Sequence, residues 1–297
     1  MQRVTYINPL GEIVEVSPFY PPYIFESISG IGAADAVPAF HAPAGMDGTL
    51  YHGLRLDDRE ITLNLHVYGE DRWAMYENRF ELIRLLGSSL NRSGEMGELW
   101  YENDHGRWWI PAIVQQGPRE NGKRKKNYFP MQVVFYCPDP AWREAEAIVD
   151  HLAHLSGGFK FPLIIPAVTQ QSPGIRFGTR GYMAAIINEG DVPAPIMIEI
   201  TGAAVRPRIE LTKTGEFMAV NRELGEGDLL TINTERGHKH ATITRATGII
   251  ENAMNYIDPA STWLQLLPGE NELMYSSGDD TTTSTVTIQM FSRFGGV

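Results

Sequence analysis

At 297 residues, with 43% hydrophobic and 21% charged side chains, the chain has the composition of a folded protein of about two domains rather than a disordered one. Its net charge of −11 is shared between the halves, 14 of 25 basic and 19 of 36 acidic residues lying up to Ala145, so neither half is the basic module that phosphate neutralisation requires and stable nucleic-acid binding is not expected. One cysteine excludes an internal disulfide and fits synthesis in a reducing cytosol, no apolar run reaches the ~18–20 residues that span a bilayer, and Met1 to Ile7 lacks the apolar stretch of a signal peptide.

In chain order, Arg3 to Ile7 and Glu12 to Val16 alternate around Asn8-Pro9-Leu10-Gly11 and predict a hairpin. Tyr20-Pro21-Pro22-Tyr23 breaks the pattern before a strand from Ile24 to Ile31. Gly32 to Gly48 is rich in Ala, Pro and Gly and has no period, which predicts a long exposed arm. Gly48 to Leu56 and Glu60 to Tyr68 are predicted strands, paired with each other through Asp57-Asp58. In the second, Ile61, Leu63, Leu65 and Val67 fall on one side and Thr62, Asn64 and His66 on the other, the mark of a half-buried strand.

After Gly69 the apolar period changes from 2 to 3.6. Trp73, Tyr76, Phe80, Ile83 and Leu86 share one face of a helix over about 71–89, and that face is expected to be core. Three strands follow, Gly97 to Tyr101, Arg107 to Val114 and Tyr128 to Cys137, the last two joined by the polar tip Gln115 to Lys126. Trp142, Ala145, Val149 and Leu152 recur helically, which predicts a linking helix through His154, ended by Gly157-Gly158, and a protease-sensitive boundary between Arg143 and Pro166. Nine strands crowd the remainder, from Tyr182 to Phe291. The expected organisation is mainly β: residues 1–145 as a β-sheet or split-barrel domain with one crossover helix, 146–160 as a linker, and 161–297 as a β-sandwich.

No motif carries catalysis. Gly117 and Gly122-Lys123 imitate a phosphate-binding loop, but Arg124 replaces the hydroxyl residue and a strand follows where a helix N-terminus is needed. His151-x-x-His154 and His238-x-His240 have metal-ligand spacing without further ligands nearby, so solvated histidines are the better reading and no metal or cofactor is expected. Cys137, before Pro138 and with no histidine beside it, reads as a small buried side chain. No carboxylate pair stands out for glycoside hydrolysis. Tryptophan is the informative residue, since five of six (all but Trp263) precede Ala145, and Trp108 and Trp109, adjacent on a strand, point to opposite faces. The pair, together with Ala33, Phe40, His41 and Pro43 of the arm, is the candidate subunit interface.

An ordered set of segments carries a resemblance. Gly97-Glu98-Leu99-Trp100-Tyr101 after a crossover helix, then a long strand closing on Cys137-Pro138-Asp139-Pro140-Ala141-Trp142, resembles the amino-terminal domain of the siphophage distal tail protein family. Asn188 to Pro195 before the strand Ile196 to Thr201, Gly227 to Thr234, and Leu267-Pro268-Gly269-Glu270-Asn271 resemble its carboxy-terminal domain. The resemblance implies a non-enzymatic virion protein at the tail tip of a long-tailed phage or prophage, made in the bacterial host cytoplasm. It also implies a galectin-like second domain and a hexameric ring, formed by the first domain, that joins the tail tube protein to the tail-tip hub. The rival is a carbohydrate-binding module, which would need a row of exposed aromatics on the second half.

Overall fold

The computed structural model describes residues 2–87, 94–153, 183–278 and 284–297. They fall into two compact units, Met1–Ala145 with Arg293–Val297, and Glu146–Ser292.

The first unit opens with β1 (Arg3–Ile7), β2 (Ile13–Val16) and β3 (Tyr23–Ser29). β4 (Ala36–His41), β5 (Leu50–Leu56) and β6 (Arg59–Tyr68) precede the helix α1 (Arg72–Leu85). β7 (Gly97–Glu102), β8 (Arg107–Glu120), β9 (Tyr128–Cys137) and β10 (Trp142–Glu144) complete the run. Its main sheet has the order β2-β1-β7-β8-β9-β6-β3, every neighbouring pair antiparallel. The two ends of that path touch at a single isolated parallel bridge, Ser17 to Ile24, and no ladder joins β2 to β3, so the sheet curls without closing as a full barrel. Period-2 alternation decides which side chains fill it: Ile61, Leu63, Leu65 and Val67 are all buried, as the sequence pattern predicts.

Helix α1 begins at Asp71, whose carboxylate accepts the Ala74 amide at 2.8 Å. The expected face holds at Leu86, which is buried, and at half-buried Ile83, but fails at its three aromatic residues. Met75, Leu82, Leu85 and Leu86 are buried, whereas Trp73 is 73% and Phe80 72% exposed and Tyr76 is also exposed. The helix carries two apolar stripes, and clearance selects between them. A Cβ on Gly69 would lie 2.2 Å from the Met75 amide nitrogen, so the sheet and the first helical turn touch almost backbone to backbone. Slender Met and Leu side chains fit that space and indole does not, which turns the aromatic stripe outward.

Three further expectations are corrected. β5 does not pair with β6: it pairs with β4 as a separate two-stranded sheet, while β6 lies between β3 and β9. The predicted linking helix is two strands, β10 and then β11 (Ile148–Ala153), whose apolar residues suit either period over so short a run. β11 belongs to the second unit, so residues 148–153 are sandwich and not linker. Gly157-Gly158, His154 and the stretch to Pro166 lie outside the described residues.

The second unit continues with β12 (Met183–Asn188), β13 (Ala194–Thr201), β14 (Ala204–Val205), β15 (Arg208–Leu211), β16 (Phe217–Ala219) and β17 (Glu223–Leu224). Then come β18 (Leu229–Asn233), β19 (His240–Thr244), β20 (Ile250–Asn252), β21 (Gln265–Leu266), β22 (Gly269–Ser276) and β23 (Thr285–Met290). One sheet runs β11-β23-β13-β18-β19-β20, another β12-β22-β15-β16. Alternate residues such as Ile198, Leu230, Ile288, Leu273 and Tyr275 form their shared core. The mainly β class holds for both units. The chain ends with β24 (Arg293–Phe294), which pairs with β10 and returns residues 293–297 to the first unit, where they had been expected in the sandwich.

Asp228 ties a corner of the second unit together. Its carboxylate accepts the Gly225 amide at 2.8 Å, the Arg245 guanidinium at 2.7 Å and the Ala246 amide at 3.0 Å. The Gly225 amide foremost, then Arg245 and Ala246, holds its pKa below the ordinary value.

Two outcomes follow from this packing. Leu82→Ala should cost about 2–5 kcal/mol through lost burial and a cavity, while Phe80→Ala should stay within about 0.5 kcal/mol; denaturant unfolding of both variants checks the inversion. Because the Asp228 pKa is depressed on folding, its contribution is complete above the ordinary aspartate value of about 3.9 and fades as pH falls through the folded-state pKa. Asp228→Asn should therefore be less stable than the parent at pH 7, and thermal scans should show the gap narrowing toward pH 3.

Candidate subunit interface

Among the described residues the hairpin β4–β5 pairs with no other strand, and every residue of β4 is exposed. Its strands carry bulky side chains that a solvated hairpin has no use for: Phe40 is 59% and Tyr51 60% exposed, and Val37, Leu50 and Leu54 are exposed as well, as is Met46 in the tip. Phe40 and Tyr51 are register partners with ring centroids 5.9 Å apart, beside a bulge between Ala39 and Phe40. The His41 and His52 rings also lie 5.9 Å apart. An isolated two-stranded ribbon is marginal in water, so what holds this one is its root.

The root is tied by main-chain bonds and one cation. The Asp57 amide donates to the Asp35 carbonyl at 2.8 Å, the Ala34 amide to the Gly295 carbonyl at 2.8 Å, and the Val297 amide to the Ile31 carbonyl at 3.0 Å. Buried Arg59 donates to the carbonyls of Gly30 at 3.0 Å, Gly32 at 2.8 Å and Gly295 at 2.5 Å. Burial pulls the Arg59 pKa down, and these carbonyls compensate the desolvated guanidinium. Two glycines permit the approach: Gly30 has φ +85° and a Cβ there would stand 2.1 Å from the Glu60 carbonyl oxygen, and one on Gly296 would stand 2.5 Å from the Gly32 carbonyl carbon. Asp139 fixes the returning strand by accepting from Arg293 and, at 3.3 Å, from Arg143.

The sequence-expected residues divide. Ala33 lies at the root and is exposed, Phe40 and His41 end β4, and Pro43 sits half-buried in the tip, so these four share one arm. Trp108 does not join them. Strand alternation sends it inward, 8% exposed in the core of its own unit, and so it offers no docking surface. Trp109 takes the other face, half-buried, stacked on Trp100 at 5.9 Å and 25° with the Arg143 guanidinium 4.6 Å from its ring centroid. The feature missed from the sequence is the outward stripe of α1. Trp73, Tyr76 and Phe80 with Glu77, Asn78 and Glu81 line an open surface hollow of about 500 Å³ on the outer side of the helix.

The other candidates for chemistry are placed as follows. Cys137 is buried, and burial pushes its thiol up to about 12 despite the nearby Arg59 cation, so it is inert at neutral pH. Gly117 belongs to β8, and the element after Lys123 is the strand β9. His240 Nδ1 lies 2.9 Å from the His238 carbonyl, and His151 Nδ1 lies 3.1 Å from Thr287 Oγ1. Among the described residues no group of three His, Cys, Asp or Glu is placed to hold a metal, and no helix is long and apolar enough to cross a membrane.

Residues 189–293 match the family model of the siphovirus-type tail component, C-terminal domain. No curated protein matches the chain. Among solved structures, the SPP1 Dit (gp 19.1) protein, described as a paradigm of the hub adsorption apparatus in Gram-positive infecting phages, superposes with a TM-score of 0.65 at 14% identity, 99% of each chain being covered. A chain of the phage p2 baseplate in its activated conformation with Sr gives 0.55 at 12% identity, covering 97% of this chain and 98% of that one. The corresponding baseplate with Ca gives 0.54 at 12% identity, with 97% of each chain covered. Residues 189–293 are thus similar to the C-terminal domain of the siphovirus-type tail component, and over nearly its whole length the chain has the fold of the SPP1 Dit hub protein.

Proposed function

We propose that this chain is a structural protein of the tail tip of a long-tailed phage or prophage, assembling through its first unit into a closed, hexameric ring that joins the tail tube protein to the tail-tip hub. The observation that carries the reading is the arm: a hairpin that among the described residues pairs only with itself, rooted by a buried arginine, and bearing exposed Phe40, Leu50, Tyr51 and Leu54. A monomer gains nothing from such an appendage, and apolar surface of this kind marks a site of association. A ring is built from heterologous contacts, in which two different patches of each subunit meet, and a projecting arm supplies one of them. The fold shared with a hub protein and with baseplate chains supports the same location. The second unit carries the family's C-terminal domain on this scaffold. A sugar-binding role for it has little support, since none of its exposed large apolar side chains among the described residues is aromatic and Trp263 is half-buried beneath the Lys239 ammonium.

Replacing residues 37–55 by a short Gly-Ser turn removes both arm strands together and breaks no ladder of the main sheet. The full chain should give a hexamer by light scattering and six-lobed rings by electron microscopy. The armless chain should be monomeric, with a thermal midpoint within a few degrees of the parent. An undiminished ring after the excision would refute the arm's role.

A further inference from the structure

We infer that Asn121, at the head of the β8–β9 connection, is a site of spontaneous deamidation, its carboxamide attacked by the Gly122 amide nitrogen and restrained by Asn64 of β6. The reaction is independent of assembly and of the arm.

Asn121-Gly122 is the one Asn-Gly pair in the sequence, and both residues are exposed. Glycine after asparagine favours cyclisation because no side chain shields the attacking nitrogen. Such pairs also serve as two-residue hairpin turns. Here the tight turn lies further on, where the Lys125 amide donates to the Tyr128 carbonyl at 3.0 Å and the Tyr128 amide to the Lys125 carbonyl at 3.3 Å. The Asn121 amide is tethered to the Pro130 carbonyl at 3.1 Å, whereas the Gly122 amide meets no acceptor among the described residues. Gly122 has φ +127°, and the atom nearest to its missing Cβ is Pro130 Cγ at 3.5 Å, so the nucleophile is both unbonded and uncovered.

In the reaction the Gly122 nitrogen bonds to Asn121 Cγ, the Cγ–Nδ2 bond breaks, and Nδ2 leaves as ammonia with the proton that the Gly122 nitrogen gives up. Water then opens the cyclic imide. Cleavage between Cγ and the Gly122 nitrogen gives aspartate, and cleavage at the main-chain carbonyl gives isoaspartate. Charge assists, because nearby cations favour a nitrogen that is losing its proton. Lys123, Lys125 and Lys126 are exposed, and none pairs with a carboxylate among the described residues. The adjacent Glu120 carboxylate lies 3.7 Å from the Arg79 guanidinium, and Arg124 donates to the Tyr76 hydroxyl at 2.5 Å. The restraint is a hydrogen bond that holds the carboxamide away from Gly122. Asn121 Nδ2 reaches past β9 and donates to Asn64 Oδ1 at 2.9 Å. That oxygen also accepts from Gln132 Nε2 at 3.1 Å, and Asn64 Nδ2 donates to Ser27 Oγ at 3.0 Å, so three strands fix the acceptor. After conversion the ionised side chain has no proton to donate, and oxygen faces oxygen. The connection then loses its side-chain tie to β6 and gains one negative charge, irreversibly.

The test ages the full chain in warm, mildly alkaline buffer, well below its thermal midpoint, and maps its peptides by mass. The peptide holding Asn121 should gain the mass of an amide-to-acid exchange before any other asparagine does. The product should be a mixture of aspartate and isoaspartate, the second measured with an isoaspartyl methyltransferase. Asn121→Gln should stay unmodified, since its longer side chain must close a larger ring. Asn64→Ala should convert about two- to ten-fold faster than the parent, the rate equivalent of one hydrogen bond. Asn64→Asp, which keeps an acceptor for Asn121, should convert no faster than the parent. Asn121 still intact after about ten times the period that converts the chain in denaturant would overturn the site. Aspartate without isoaspartate would overturn the imide route. An unchanged rate in Asn64→Ala would overturn the restraint, and so would a faster rate in Asn64→Asp, which decides alone where the alanine variant does not fold.

Discussion

The interaction on which the first unit depends is the grip of one carboxylate, Asp139, on Arg293, 154 residues further along, and on Arg143. Pro138 and Pro140 stop β9 from continuing, the next turn buries Trp142 completely, and the Asp139 oxygens are left facing the two guanidiniums. With Arg293 held, β24 lies against β10, Phe294 and Val297 pack onto the core, and the Gly295 carbonyl reaches Arg59. Arg59 is buried, and a buried cation that loses acceptors is costly, so its three carbonyls are a requirement of the fold rather than an embellishment. Those carbonyls belong to Gly30, Gly32 and Gly295, which means that the end of the chain and the root of the arm are set by the same side chain. The orientation of the arm thus depends on a strand that leaves the second unit's last residue and returns.

Much of this was legible in the sequence wherever one period governed a long run. The alternation from Ile61 to Val67 marked its buried face correctly because a ten-residue strand repeats the signal several times. The turn at Cys137 to Trp142 could be recognised as a stop, yet its partner could not: a two-residue strand such as β24 has no period, and nothing local ties Arg293 to Asp139. Periodicity also failed where two answers fitted. Trp142 to Leu152 satisfies a helical spacing, but Arg143 and Trp109 are register partners in the ladder between β10 and β8, and tertiary pairing overrode the local pattern. On α1 the larger side chains fit the core stripe as well as Met75, Leu82 and Leu85 do, and a hydrophobicity pattern does not register the close backbone approach of Gly69 to Met75.

The candidate site shows the same limits. The lack of any period from Gly32 to Gly48 agrees with the exposure of Ala33, Phe40 and His41, though not with half-buried Pro43, and is silent on conformation: the arm is a paired ribbon rather than an unstructured loop. Trp108 was singled out because tryptophan favours interfaces, a preference that says nothing about which of two adjacent tryptophans faces the core. A strand's neighbours decide that, and here Trp109 pairs with Trp100 on the outer face.

A free two-stranded ribbon exposes two unpaired edges, and unpaired edges usually recruit further strands without limit. This arm carries the features that prevent such growth. Pro38 removes a donor from β4, the bulge between Ala39 and Phe40 disrupts the ladder beside it, and Gly53 opposite, at φ +150°, departs from strand geometry. With strand addition obstructed, what the arm offers a partner is its side chains, Phe40 and Tyr51 above all. Recognition through side chains seated in a cavity is saturable, because one arm fills one site, whereas recognition through a backbone edge is not. The irregularities of β4 and β5 exclude the second kind of contact and leave the first.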